Sequence, residues 1–357
     1  MNVATSRVIG LDIGTTRVRA AELEFGSGGP SRTAQPTVLR VGEVPLPPGA
    51  VKDGEVAELS TVSSALRQLW AQAKFSHKEV VLGVGNQRVI VRDLELPAMP
   101  LNEARASLPY QVQDLLPVAV DDALLDYVPT GSSVGEHGAL MQGLLVAATK
   151  ETVLANTAAA EAAGLKPMMV DLTAFALSRV MARGELAQRT IAVIDIGARM
   201  TTLAIVAQGV PRMVRLIPSG GQNVTDVVAS TLGLTTADAE NAKRQIGVGF
   251  TVPPEAQAAA QAVGEVATSL IEAIRNTFVY YAGSHPGAAV EHIVLTGGGS
   301  QLPGLGQYLS SASRIPASMG QPLDTLRLGR GAPVPAHLVE HQHELAIPLG
   351  LAFGVAS

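Results

Sequence analysis

Two stretches of the chain read almost alike: Ile9-Gly10-Leu11-Asp12-Ile13-Gly14 and Ala192-Val193-Ile194-Asp195-Ile196-Gly197. Each is an apolar run that ends at Asp, continues through Ile and Gly into a turn of small or polar residues, and resumes as a second extended run. A carboxylate at the end of a buried strand is costly unless a cation or hydrogen-bond donors meet it, because desolvation disfavours the charged form. Magnesium would meet that need. The glycine lets backbone N–H groups approach closely, and successive N–H groups in a tight turn form a concavity suited to phosphate. Thr15, Thr16 and Thr201 stand beside these turns as hydroxyl donors. One Asp-x-Gly alone reads as a turn between strands. Two copies in matching context read as a duplicated unit.

A third glycine-bearing segment, Thr296-Gly297-Gly298-Gly299-Ser300-Gln301, follows the apolar strand His292–Thr296 and precedes a helix. Three glycines admit a flat ligand closely. The spacing fails the dinucleotide pattern G-x-G-x-x-G, since Leu302 holds its final position. A P-loop is excluded as well: no G-x-x-x-x-G-K-[ST] occurs, and the Asp-Gly turns lead into strands rather than helices.

At 357 residues the chain exceeds one ordinary core and implies two domains. Its 47% hydrophobic content against 3% aromatics describes compact α/β packing rather than an aromatic recognition surface. The net charge of −5, with scattered basic residues, leaves no stripe to neutralise a phosphate backbone, so nucleic acid is not expected as a partner. The absence of cysteine removes disulfides and thiolate chemistry and suits a reducing compartment. The N-terminus lacks the apolar core of a signal peptide, and no apolar run approaches a membrane span, so a cytoplasmic protein without membrane insertion is expected. His337, His341 and His343 fall in a loose Pro-containing stretch, 314–345, and read as solvent-exposed rather than as a metal site.

Working outward, the first hairpin is followed by a strand at Val38–Val44 and an amphipathic helix from Ser60. Strands at Val80–Val84 and Val89–Leu96, a helix over 102–116 closed by Pro117, and strands at Leu124–Val128 and Leu140–Ala148 around the polar loop Thr130–Gly138 make a strand-helix-strand-strand package. Helices follow at Glu151–Ala163 and Thr173–Arg183, separated by a strand at Pro167–Asp171. After the second hairpin, helices are expected near 222–232, 235–246 and 255–283.

The order of these motifs resembles the actin-like ATPase superfamily. Asp12, Gly14, Thr15, Thr16 and Arg19 match the first phosphate motif, and Asp195, Gly197, Ala198, Met200 and Thr201 the second; Gly297, Gly298, Gly299 and Ser300 match the adenosine motif. The resemblance implies ATP with Mg2+ between two lobes, Asp12 and Asp195 meeting the metal through water. Gly220 and Gly221 look like nucleotide-facing glycines, and Glu240 and Lys243 like the pair for ribose and base; the alternative for that pair is a solvated helical couple. Asp171 stands where DnaK-type chaperones carry a Glu that positions the attacking water, or else caps the following helix. Arg19 stands where a Lys is usual and Arg199 where a small residue is usual. At most slow ATP hydrolysis is implied.

The resemblance extends to the PilM family of type IV pilus assembly, carried by Pro45–Gly54, by Leu96–Pro100 with Gln113–Pro117, and by Ala162–Pro167 with Val170-Asp171. It implies an α/β, two-lobed actin-like (ribonuclease-H-like) fold: a first lobe of 1–79 and 168–190, an inserted strand-helix-strand-strand (SHS2-type) subdomain over 80–167, and a second lobe over 191–357 with a smaller subdomain near 220–288. The implied role is a cytoplasmic scaffold, held at the inner face of the membrane by the N-terminal cytoplasmic peptide of a bitopic PilN-like protein. A homo-oligomer is left open. The FtsA and MreB families share the core and polymerise; FtsA ends in an amphipathic membrane helix, whereas Leu351–Ser357 does not read as one. Sugar kinases share the nucleotide core but need a catalytic Asp in a sugar cleft, which the insertion does not supply.

Overall fold

The computed structural model describes residues 6–31, 33–135, 138–329 and 334–354. The first hairpin, β1 (Ser6–Ile13) and β2 (Arg17–Phe25), continues into β3 (Thr37–Pro45). A short ladder, β4 (Val51–Lys52) with β5 (Glu55–Val56), leads to α1 (Leu59–Ala73) and β6 (Glu79–Val84). The inserted package is β7 (Val89–Pro97), α2 (Leu101–Gln111), β8 (Ala123–Gly135) and β9 (Gly138–Thr149). It is followed by α3 (Lys150–Ala162), β10 (Lys166–Leu172) and α4 (Thr173–Met181). The second half runs β11 (Thr190–Ile196), β12 (Thr201–Ala207), β13 (Val210–Ile217), α5 (Gly221–Leu232), α6 (Thr236–Ile246) and α7 (Gln257–Ser284). It ends with β14 (His292–Thr296), α8 (Leu305–Ser313), β15 (Ala317–Met319), β16 (Arg327–Leu328), α9 (Ala336–Glu340) and α10 (Ala346–Ala352).

The two large sheets repeat one topology. In the first the order is β3-β2-β1-β6-β10 with β16 added beside β3; in the second it is β13-β12-β11-β14-β15. Each places three antiparallel strands beside two parallel ones, so the sequence repeat is a repeat of whole sheets. This is the two-lobed α/β actin-like fold. Because successive strand residues point to opposite faces, Ile9, Leu11 and Ile13 pack with Val62, Leu66 and Leu69 of α1 on the outer side. On the second sheet Ala192, Ile194 and Ile196 pack with Val263, Ile271 and Ile274 of α7. The inner faces share a core with α4 and α10.

These two helices cross between the sheets and exchange allegiance. Within the segment 168–190, expected as part of the first lobe, α4 packs on β12 of the second sheet, while α10, within the segment 191–357 expected as the second lobe, packs on β1 and β2. Strand β16 likewise pairs with β3 of the first sheet. The approach of α10 is so close that a Cβ on Gly10 would lie 2.1 Å from the Pro348 carbonyl oxygen, which explains a glycine inside a buried strand.

Of the expected insertion, 80–167, the two ends lie outside the small sheet. Strand β6 pairs in parallel with β1 and β10, and α3 packs on α1, so both belong to the first lobe's framework. The small sheet, β7-β9-β8, covers α2 with Leu96, Leu108, Tyr127 and Leu145 in its own core and leans on β13 of the second lobe. Of the polar stretch expected as a loop from Thr130 to Gly138, Gly131 to Gly135 and Gly138 lie in the ladder, which shifts register between Pro129 and Gly131, where proline has no N–H to donate; residues 136 and 137 lie outside the described residues. Helix α2 stops at Gln111, with Pro109 in its last turn, and gives way to a short 3-10 turn at Gln113–Leu115. Among the described residues no helix is long and apolar enough to cross a membrane. Of the ending Leu351–Ser357, Val355–Ser357 lie outside the described residues.

Candidate functional site

Both Asp-Gly hairpins open onto one cavity of about 600 Å3 between the lobes, lined by Asp12 and Asp195 together. Their turns close in the same way: the Gly14 N–H donates to the Arg17 carbonyl at 3.0 Å, and the Gly197 N–H to the Met200 carbonyl at 2.9 Å. Asp195 accepts a hydrogen bond from Thr296 Oγ1 at 3.0 Å. Burial pushes the Asp12 carboxyl up to about 6 against the opposing charge of Arg19. Burial likewise pushes Asp195 up to about 7, with the Thr296 hydroxyl lowering it and the Asp12 charge raising it. Two desolvated carboxyls in one cavity resist ionising unless a cation joins them, and their hard oxygen donors suit magnesium rather than a soft metal.

Around this pair the cavity is lined by Gly14, Thr15 and Thr16 from the first turn and by Gly197, Ala198 and Met200 from the second. Helix α5 is anchored on the second turn, the Gly221 and Gln222 N–H groups donating to the carbonyls of Gly197 (2.9 Å) and Ala198 (2.8 Å). The third motif, Gly297 to Gly299, lines the same space. Gly297 has φ +79°, and a Cβ there would meet the Ile196 carbonyl oxygen at 2.5 Å, so the turn holds its place against the second hairpin only as glycine.

Helix α6, capped by Thr235 Oγ1 accepting from the Asp238 N–H at 3.2 Å, brings Glu240 and Lys243 to the cavity wall. They are not a solvated couple. Lys243 is buried, its Nζ donating to the Gly221 carbonyl (3.1 Å), Thr225 Oγ1 (3.0 Å) and Glu240 Oε2 (2.5 Å). Burial raises the Glu240 carboxyl, but hydrogen bonds from Lys243 and Thr225 outweigh it and hold the group below the usual range.

Several expected site residues are placed elsewhere. Thr201 is fully buried and spends its hydroxyl on the Ser219 carbonyl (2.7 Å), and Ser300 is buried with its hydroxyl on the Gly297 carbonyl (2.6 Å). Gly220 lies behind the lining, its N–H donating to Asn223 Oδ1 at 3.0 Å. Asp171 is also absent from the lining: its carboxylate is paired with Arg179, and α4 has no side-chain cap, so neither expected role is seen. Sequence order alone could not reveal that Asp171 has a partner, Arg179, two helical turns on. Arg199 turns to Asp226 at 2.5 Å instead of to the cavity.

Arg19 does line the cavity, held by Glu43 (2.9 Å) and by Glu344. Glu344 and Gln301 are lining residues that the sequence reading missed. The surface assignment of the 337–343 histidines also needs correction, since His343 is buried. A short 3-10 turn at Gln342–Leu345 carries these groups inward, and composition gives no sign of it.

Comparison with known proteins agrees with this fold. A family model described as "Type IV pilus assembly protein PilM" matches residues 10–355. A solved "PilM-PilN type IV pilus biogenesis complex" is 26% identical and superposes with a TM-score of 0.82 over 98% of both chains. The cell division protein FtsA of Escherichia coli (strain K12) is 25% identical over 90% of this chain and 86% of its own length. FtsA of Bacillus subtilis (strain 168) is 24% identical over 67% of this chain, which spans 58% of that relative's length.

Proposed function

The chain belongs to the PilM family of type IV pilus assembly proteins, and from that premise we propose that it is an ATP-binding scaffold for an inner-membrane partner. The observation that carries the nucleotide reading is the convergence of Asp12 and Asp195 on one interlobe cavity. Asp12 and Asp195 would hold magnesium there, which would supply the positive charge that both desolvated carboxyls call for. Gly14 to Thr16 and Gly197 to Ala198 cradle the phosphates, the Gly297 to Gly299 turn takes the adenosine, and Glu240 with Lys243 bounds its far side. Turnover is slow, because Asp171 is occupied by Arg179.

The partner is the N-terminal cytoplasmic peptide of a PilN-like bitopic protein, which holds the chain at the cytoplasmic face of the membrane. The likeness to a solved complex of that name supports this. The peptide sits in a groove between the small β7-β9-β8 sheet and the first lobe, in the manner of extended segments that use sheet edges and apolar clefts. The test is calorimetric titration of Mg·ATP into the full chain, Asp12→Ala and Asp195→Ala. The loss of either carboxylate is expected to weaken binding by more than about tenfold; unchanged affinity in both folded variants sinks the assignment. Peptide and Mg·ATP are expected to tighten one another by the same factor.

A further inference from the structure

The 3-10 turn at Gln342–Leu345 and the residue before it bring together a set of donors that the nucleotide reading does not use. His341, His343 and Glu344 each offer one ligand atom, and these atoms lie within 4.8 Å of one another. Gln301 Nε2 stands among them, 3.1 Å from His341 Nδ1, 2.7 Å from His343 Nε2 and 3.2 Å from Glu344 Oε1. The Glu344 carboxylate sets the orientation of that amide, since the carbonyl oxygen in the same place would face another acceptor. An amide nitrogen has only two hydrogens for three converging acceptors. A cation in its place would satisfy all three lone pairs at once.

We propose that His341, His343 and Glu344 form a binding site for a divalent transition-metal ion, of which zinc is the natural occupant, beside the interlobe cavity that Glu344 and Gln301 line. Two imidazoles and one carboxylate are a borderline-soft donor set, suited to zinc and unlike the all-oxygen Asp12 and Asp195 pair. Three protein ligands leave a fourth position for water. Zinc–ligand distances of about 2.0–2.2 Å require the Gln301 amide to withdraw and the three groups to contract by roughly 1 Å. His341 is exposed and free to move inward. Arg19, the cation that faces Glu344, is already shared with Glu43, and Glu344 Oε2 serves it while Oε1 faces the site. The His343 carbonyl accepts from the Gly297 N–H at 3.3 Å, so an ion here would brace the triple-glycine turn against the segment that returns to the first lobe.

The experiment uses the full chain, stripped with a chelator and held in excess Mg2+ without nucleotide, so that its outcome does not depend on the ATP reading. Zn2+ is titrated by calorimetry, Co2+ by its visible absorption, and the thermal midpoint is followed with and without Zn2+. One equivalent of Zn2+ is expected to bind, with a visible Co2+ band of low coordination number and a raised midpoint by mass action. His341→Ala, at an exposed position that leaves the Arg19–Glu344 pair intact, is expected to weaken Zn2+ by more than about tenfold and to abolish the rise in midpoint. No stoichiometric Zn2+ binding, or equal binding by wild type and His341→Ala, overturns the proposal.

Discussion

In both Asp-Gly hairpins the glycine closes its turn on the carbonyl three residues ahead, at 3.0 Å in the first and 2.9 Å in the second. In both, the Asp strand lies between an antiparallel and a parallel neighbour. The side chains differ. Opposite Asp12 in the ladder stands Arg19; opposite Asp195 stands Thr202, and Thr296 donates its hydroxyl to the Asp195 carboxylate. Two positions before each Asp, Gly10 corresponds to Val193, and both lie on the face toward the central helices. The duplicated backbone builds the cavity, and the diverged side chains decide where charge sits and how closely each central helix approaches.

The sharpest way to break this comparison is at Gly10 and Val193. Gly10→Ala puts a Cβ 2.1 Å from a backbone oxygen of α10, which cannot rotate away as a side chain could. Denaturant unfolding is expected to show a loss of about 3 kcal/mol, as overpacking against backbone does. A loss below about 0.5 kcal/mol would mean that α10 does not approach β1 more closely than α4 approaches the second sheet.

The second way uses pH. In magnesium-free buffer both carboxyls have folded values above the unfolded 3.8, about 6 for Asp12 and about 7 for Asp195. Between those limits the folded chain holds more protons than the unfolded chain, so these groups make stability fall as pH rises from about 4 to about 7. Asp195→Asn removes its share of that fall. The variant is expected to gain on wild type between pH 5 and pH 8 by on the order of 2 kcal/mol, with a smaller gain for Asp12→Asn, where Arg19 already offsets burial. Parallel stability–pH curves for wild type and both variants would remove the desolvation argument.

The smallest effect is expected at Arg199, in the second turn. Its ion pair with Asp226 is exposed on both sides and turned from the cavity. Arg199→Ala should change stability by no more than about 0.5 kcal/mol and leave Mg·ATP affinity within about twofold. A larger loss of affinity would return Arg199 to the phosphate site.

The sequence by itself determined the duplicated sheets, the paired Asp-Gly turns and the triple-glycine turn between strand and helix. Those features rest on local chemistry: a continuous apolar run, a carboxylate at a strand end, a glycine where backbones meet. The Glu240–Lys243 pair was legible as a pair but the burial of Lys243 was not, since helical spacing is the same in solvent and in a wall. Only the tertiary structure decided that α4 and α10 exchange lobes, because a short apolar helix packs equally well on either sheet until the chain's path is fixed. It also decided which hydroxyls and carboxylates remain available. Thr201, Ser300 and Asp171 look like donors and acceptors in the chain, yet each meets a partner, the carbonyls of Ser219 and Gly297 and the guanidinium of Arg179, that satisfies it away from the cavity. The reverse holds for His341, His343 and Glu344: they lie in a stretch whose composition reads as surface, and one turn of 3-10 helix places them around the amide of Gln301, some forty positions away in the chain. Long-range convergence of that kind leaves no periodicity to read, because it depends on where two segments meet rather than on the order of residues within either.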